Sequence, residues 1–134
     1  VMVVDIDHFK QINDSYGHAA GDMVLREAAA TLHESARRED SVCRIGGEEF
    51  LVICSNTDLK SAMQSAERLR ANLGAKRIAI GGTEITLTIS IGVAARAPGI
   101  PDMDALVSTA DQALYAAKKA GRNRTCTRQQ SLFT

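Results

Sequence analysis

Arg44-Ile45-Gly46-Gly47-Glu48-Glu49-Phe50-Leu51-Val52-Ile53 is the stretch whose reading decides the architecture. An apolar segment arrives at two glycines, two carboxylates follow, and a second apolar segment leaves. The pattern reads as a β-hairpin with a glycine-bearing turn. The glycines give the turn freedom of φ and leave bare backbone that a ligand can approach. Two adjacent glutamates at a hairpin tip repel each other unless a positive partner is present. The tip is therefore either a solvated polar turn or part of a metal or phosphate site. The second reading requires another acidic cluster on a neighbouring strand.

Such a cluster stands at the start of the chain. Val1 to Ile6 is an apolar run broken only by Asp5, as expected of a central strand covered on both faces. Alternation puts Asp5 and Asp7 on one face and Ile6 on the other. A carboxylate near the end of a buried strand is costly unless paired or metal-bound. Asp7 has a competing reading as the N-cap of a short helix over His8-Phe9-Lys10; Asp5 lies too early for that.

Around these two stretches the chain alternates helices and strands. Phe9 to Tyr16 reads as a short helix closed by Gly17. His18-Ala19-Ala20-Gly21-Asp22 reads as a polar loop leading into a helix with Val24, Leu25, Ala28, Ala29, Leu32 and Ala36 on one face. Ser41 to Ile45 and Phe50 to Cys54 form the hairpin. Asn56-Thr57-Asp58 offers caps for a helix bearing Leu59, Met63, Ala66, Leu69 and Leu73, ended by Gly74. Arg77 to Ile80 and Glu84 to Ala94 read as a second hairpin across Gly81-Gly82-Thr83, with Ile85, Leu87, Ile89, Ile91 and Val93 on one side. Asp102 to Ala120 reads as a helix stopped by Gly121, and residues 122–126 as a last short strand.

The order β-α-α-β-β-α-β-β-α-β contains a split βαβ core. The expected fold is α+β: a ferredoxin-like βαββαβ palm-type core, its antiparallel sheet flanked by helices, with an extra hairpin. In it the first strand neighbours the Ser41–Cys54 hairpin, and Asp5 and Glu48 converge at one end of the sheet. Residues 1–127 form the domain; 128–134 read as a frayed or linker-like tail.

The 134 residues suffice for one core and not for two domains. Sixteen basic residues balance sixteen acidic ones, so no overall field draws the chain to nucleic acid or a membrane surface. No apolar run approaches the roughly 18 residues of a membrane span, and no signal peptide is visible. Cys43, Cys54 and Cys126 fit neither a zinc pattern nor a disulfide framework. They read as reduced thiols of a cytoplasmic protein, Cys43 and Cys54 as small core residues.

Four segments together carry a family resemblance. They are Asp5 to Asp14 (DIDHFKQIND), Gly17 to Asp22 (GHAAGD), Arg44 to Phe50 (RIGGEEF) and Tyr115 to Asn123 (YAAKKAGRN). In this order the chain resembles the GGDEF domain of diguanylate cyclases, with Glu at the motif's third position. The family's helical lead-in is absent, and the expectation is a fragment whose upstream sensory or regulatory domain is missing.

The resemblance implies condensation of two GTP into cyclic di-GMP with release of two pyrophosphates, across a homodimer. It implies two Mg²⁺ or Mn²⁺ ions held by Asp5, the Ile6 carbonyl and Glu48. Glu48 would also accept a proton from the attacking 3′-hydroxyl, Glu49 would position metal or hydroxyl, and Lys10 would stabilise phosphate charge. Phe9, Lys10, Asn13, His18, Asp22, Gly46, Gly47, Lys118 and Arg122 would line the GTP site, Asn13 and Asp22 reading guanine. Lys118 and Arg122, four apart, would share a helix face and clamp the terminal phosphates; a solvated helix end is the plainer reading. Arg37 and Asp40 match the family's Arg-x-x-Asp inhibitory product site, with Arg68 as a further contact; a charged helix terminus is the alternative. The rival functions are a catalytically silent module that binds GTP or cyclic di-GMP, and another palm-type nucleotidyl cyclase or polymerase.

Overall fold

The computed structural model describes residues 1–129. The elements are β1 (Met2–Ile6), α1 (Phe9–Tyr16), α2 (His18–Ser35), β2 (Ser41–Arg44), β3 (Glu49–Ile53), α3 (Leu59–Ala75), β4 (Ile78–Ile80), β5 (Thr83–Ile85), β6 (Ile89–Val93), α4 (Met103–Lys119) and β7 (Thr125–Thr127). Five strands form one sheet in the order β2-β3-β1-β6-β7. Its pairs are antiparallel except β6 with β7, which is parallel. The order β2-β3-β1-β6 is that of a ferredoxin-like βαββαβ core, so the fold expectation holds, with α4 and β7 added.

β1 is central because both of its faces are apolar and both are covered. Met2, Val4 and Ile6 join one core with Phe50, Val52, Ile89 and Ile91 beneath α2 and α3. Val1 and Val3 join a second core with Leu106, Ala110 and Leu114 of α4. Helix α4 lies directly on β6: a methyl group at Gly92 would fall 2.0 Å from the Ala110 carbonyl oxygen. Asp58 and Asp102 cap α3 and α4, accepting from the Ser61 and Ala105 amides at 2.8 Å each; such caps contribute about 1 kcal/mol apiece.

Several local expectations need correction. Asp7 does not cap α1; His8 takes the N-cap position at φ 56° with no side-chain cap bond. The stretch from His18 is helical from its first residue rather than a loop. Gly74 stays within α3, which ends at Ala75 because Lys76 turns extended. The long arm from Glu84 breaks in two. β4 and β5 make a separate ribbon across Gly81 and Gly82, both at positive φ as a tight two-residue hairpin requires. The chain then crosses into the main sheet, where the Asp7 amide donates to the Thr88 carbonyl at 2.9 Å. Cys43 is exposed, since it lies on the edge strand β2, and Cys54 is half-buried against the core. Gln129, in the segment expected to fray, is tied to Ala95 by two hydrogen bonds of 2.7 Å. The rest of that tail, 130–134, lies outside the described residues.

Candidate active site

The hairpin turn is organised by Arg44. Its guanidinium donates to the carbonyls of Gly46 at 3.1 Å and Gly47 at 2.8 Å, and the Ile45 amide donates to Glu49 O at 3.0 Å. Neither Gly46 nor Gly47 is among the positive-φ glycines, so the turn does not use the conformational freedom expected of them. A Cβ at Gly47 would meet nothing within 4 Å. The chain's own packing does not demand glycine there; what the glycine leaves is uncovered backbone.

The strand register brings Asp5 opposite Glu49, one residue from the expected partner Glu48. Glu48 adjoins through its backbone, its carbonyl accepting from the Ile6 amide at 3.2 Å. Asp5 and Glu49 thus point to the same side of the sheet, the side covered by α4. Asp5 is buried, and its Oδ2 accepts from Lys118 Nζ at 2.7 Å. Burial pushes the Glu49 carboxyl above its usual range, the Asp5 charge pushes it further, and the Lys118 ammonium opposes both. Two carboxyl groups facing each other across neighbouring strands at a sheet end favour a cation between them, beyond the one that Lys118 supplies. Oxygen-only donors of this kind suit Mg²⁺ or Mn²⁺. Among the described residues no three His, Cys, Asp or Glu side chains form a ligand cluster.

Lys118 and Arg122 do not share a helix face. α4 ends at Lys119, and Arg122 lies past Gly121 in the left-handed region at φ 64°. Gly121 and Arg122 close the helix, their amides donating to the Lys118 and Ala117 carbonyls, the pattern of a glycine-terminated helix cap. The turn and not the helix spacing therefore sets where Arg122 stands.

On the other side of the sheet, α1 and α2 pack closely through Gly21. A Cβ at Gly21 would sit 1.8 Å from Asn13 Oδ1 and 3.3 Å from Phe9. That contact holds Asn13 against Gly21, the residue before Asp22. Asp22 opens onto a cleft of about 440 Å³ lined by Leu25, Arg26, Ala29, His33, Val42, Arg44 and Phe50. Its lining is mixed: Leu25, Ala29, Val42 and Phe50 are apolar, while Arg26, His33 and Arg44 stand with Asp22. Sequence reasoning missed Arg26 and His33. The spacing of Asp22, Arg26, Ala29 and His33 on one stripe of α2 could have revealed them. Lys10 and His18 are exposed on α1 and at the start of α2.

Arg37 and Asp40 meet in the turn between α2 and β2. The Arg37 amide donates to Asp40 Oδ2 at 2.9 Å, and its guanidinium reaches Asp40 Oδ1 at 3.3 Å and the Ser55 carbonyl at 2.8 Å. Burial pushes the Asp40 carboxyl up, but the Arg37 amide and guanidinium outweigh it and leave it below the usual range. Arg68 is not joined to this pair; its hydrogen bond is to Ser65 on its own helix.

The sequence profile of the family described as diguanylate cyclase, GGDEF domain, matches residues 1–124, and the chain belongs to that family. It is 46% identical over 124 residues to diguanylate cyclase A of Treponema denticola, covering 92% of this chain and 33% of that protein. It is 40% identical over 125 residues to the diguanylate cyclase DosC of Escherichia coli, covering 92% of this chain and 27% of that protein. The chain thus spans about a third or less of the length of these curated relatives. Among solved structures, the active GGEEF domain of a diguanylate cyclase from Vibrio cholerae superposes with a TM-score of 0.89 at 35% identity, over 97% of this chain and 82% of that one. The GGDEF domain of DgcB from Caulobacter crescentus, in complex with c-di-GMP, gives 0.89 at 34% identity, over 93% and 74%. Among the described residues no helix is long and apolar enough to cross a membrane.

Proposed function

We propose that this domain is a diguanylate cyclase, joining two GTP into cyclic di-GMP and releasing two pyrophosphates. The observation that carries the reading is the Asp5–Glu49 pair at the sheet end, with Lys118 on Asp5, in a chain of this family. Asp5, the Ile6 carbonyl and Glu48 would hold two divalent cations, Mg²⁺ or Mn²⁺, which supply charge neutralisation at the phosphate oxygens. On nucleotide entry Lys118 exchanges Asp5 for phosphate, and Arg122 and Lys10 add positive charge around the triphosphate. Asn13 and Asp22 read the guanine edge, while Phe9 and His18 border the same site. The bare backbone of Gly46 and Gly47 lets the turn approach the nucleotide. Glu49, whose carboxyl is already raised, positions the attacking 3′-hydroxyl beside Glu48.

A single copy holds one GTP, so two copies must face each other, each 3′-hydroxyl attacking the other's α-phosphate. Rate enhancement then comes mainly from positioning and electrostatics. Product binds at Arg37 and Asp40 and inhibits; the guanidinium stacks on or pairs with the dinucleotide. An upstream domain would control the pairing of copies in the cytoplasm.

Asp5→Asn in the full-length protein tests the site. The change keeps the shape of the side chain and removes its charge, and turnover should fall at least about a thousandfold while circular dichroism and the melting transition stay those of a folded domain. Retained turnover would show that Asp5 holds no metal.

A further inference from the structure

Two residues of the family segments, Asp7 and Asn123, have no task in the chemistry above, and the structure joins them across the sheet. Asp7 is buried at the end of β1. It lies among three donors: Thr88 Oγ1 at 2.7 Å, Ser90 Oγ at 2.6 Å and the Asn123 amide at 3.0 Å. Asn123 is gripped a second time, its Oδ1 accepting from Arg70 Nη1 of α3 at 2.8 Å. Arg70 is itself braced by Glu67. Arg124 closes the loop, donating to the Arg122 carbonyl at 2.9 Å.

The segment so held is unfavourable on its own. Gly121, Arg122 and Asn123 are at φ 120°, 64° and 46°, three successive residues at positive φ, two of them not glycine. Such conformations persist only where the surroundings over-determine them. Here the surroundings are the strand carrying Asp5 and the helix α3. Asp5 and Asp7 project to the same side of β1. One engages Lys118 on the body of α4, the other the turn that follows it.

We propose that Asp7 and Arg70 are positioning residues for the nucleotide site: they lock the turn after α4 so that Arg122 stands at a fixed place relative to Asp5. The proposal rests on the nucleotide reading of the site, in which Arg122 meets phosphate. Asp7 acts through its acceptor atoms and not through its charge. An amide oxygen can still accept from Asn123 N–H, and the Ser90 hydroxyl can turn to accept from the amide nitrogen. Asp7→Asn should therefore be tolerated where Asp7→Ala is not.

The test uses the full-length protein, titrated with the α,β-methylene analogue of GTP, together with hydrogen exchange at residues 121–124. Asp7→Ala should weaken analogue affinity about tenfold or more, the effect of losing one charge-assisted contact, and speed exchange at the Asn123 amide by a similar factor. Asp7→Asn should stay within about threefold of the parent. Arg70→Ala, at a partly buried residue outside both apolar clusters, should shift affinity and exchange in the same direction as Asp7→Ala. Asp7→Asn as damaging as Asp7→Ala would overturn the proposal by showing that the charge itself is used. Variants that bind as tightly as a binding-competent parent would also overturn it. A parent that does not bind the analogue would instead overturn the nucleotide reading, and with it the task assigned to Arg122.

Discussion

Glu49 shows what the site costs the fold at the level of one residue. Its carboxyl titrates above its usual value of 4.5 because it is partly buried and faces Asp5. Since the folded value is the higher one, the folded state binds the proton more tightly than the unfolded chain. The resulting stabilisation is complete below the unfolded value and is lost as pH rises through the folded value, so at neutral pH the ionised group is a burden. Glu49→Gln removes that burden while keeping a side chain that can donate to Asp5. Its melting temperature, followed from pH 4 to pH 8, should exceed the parent's at pH 8 and converge with it near pH 4. A variant less stable than the parent at pH 8 would contradict this. That Asp5 meets the acidic hairpin tip was legible from strand alternation and motif, with Glu48 as the expected neighbour. That Asp5 faces Glu49 and not Glu48 was not, because a one-residue register is decided by the turn geometry that Arg44 sets.

Elements were easier to read than their connections. Long amphipathic helices and the apolar strands β1 and β6 announced themselves through periodicity. The failures fall where tertiary contacts override local preference. Gly74 stays helical directly after Leu73, the last buried anchor of α3. Glu84 to Ala94 alternates without a break, yet the structure divides it between a ribbon and the main sheet. Asp7 has the look of a helix cap but is claimed by Thr88, Ser90 and Asn123. None of these partners is near it in sequence. The contact between α4 and β6 gives a further prediction at this scale. Gly92→Ala would press a methyl group onto the Ala110 carbonyl and the Leu114 amide, which are backbone and cannot turn aside. The domain should lose about 3 kcal/mol, the upper part of the range for overpacking, measured by denaturant unfolding. Gly21→Ala presses instead on the Asn13 side chain and Phe9. It should raise the KM for GTP about tenfold as Asn13 is displaced, with a smaller loss of stability.

For the whole molecule, the fold class followed from element order alone, since the order β2-β3-β1-β6 is the usual solution for a βαββαβ chain. The two faces of the sheet divide the work proposed for the site. The α4 side gathers Asp5, Glu49 and Lys118, and the α2 side offers the cleft of mixed lining at Asp22. Both meet at the sheet end where the hairpin turns. In the proposed reaction one domain supplies one nucleotide, so the specific rate per molecule should fall on dilution and recover when copies are crosslinked. A specific rate constant over a hundredfold dilution would contradict the requirement for two copies.

The most direct test is to supply the full-length protein with GTP or ATP in the presence of Mg²⁺ and to identify the products by mass spectrometry and pyrophosphate release. The expected products are cyclic di-GMP and two pyrophosphates for each molecule formed, with no corresponding product from ATP. Binding of GTP with no condensation would contradict this in favour of a silent binding module, and comparable turnover of ATP would contradict the guanine-reading role of Asn13 and Asp22.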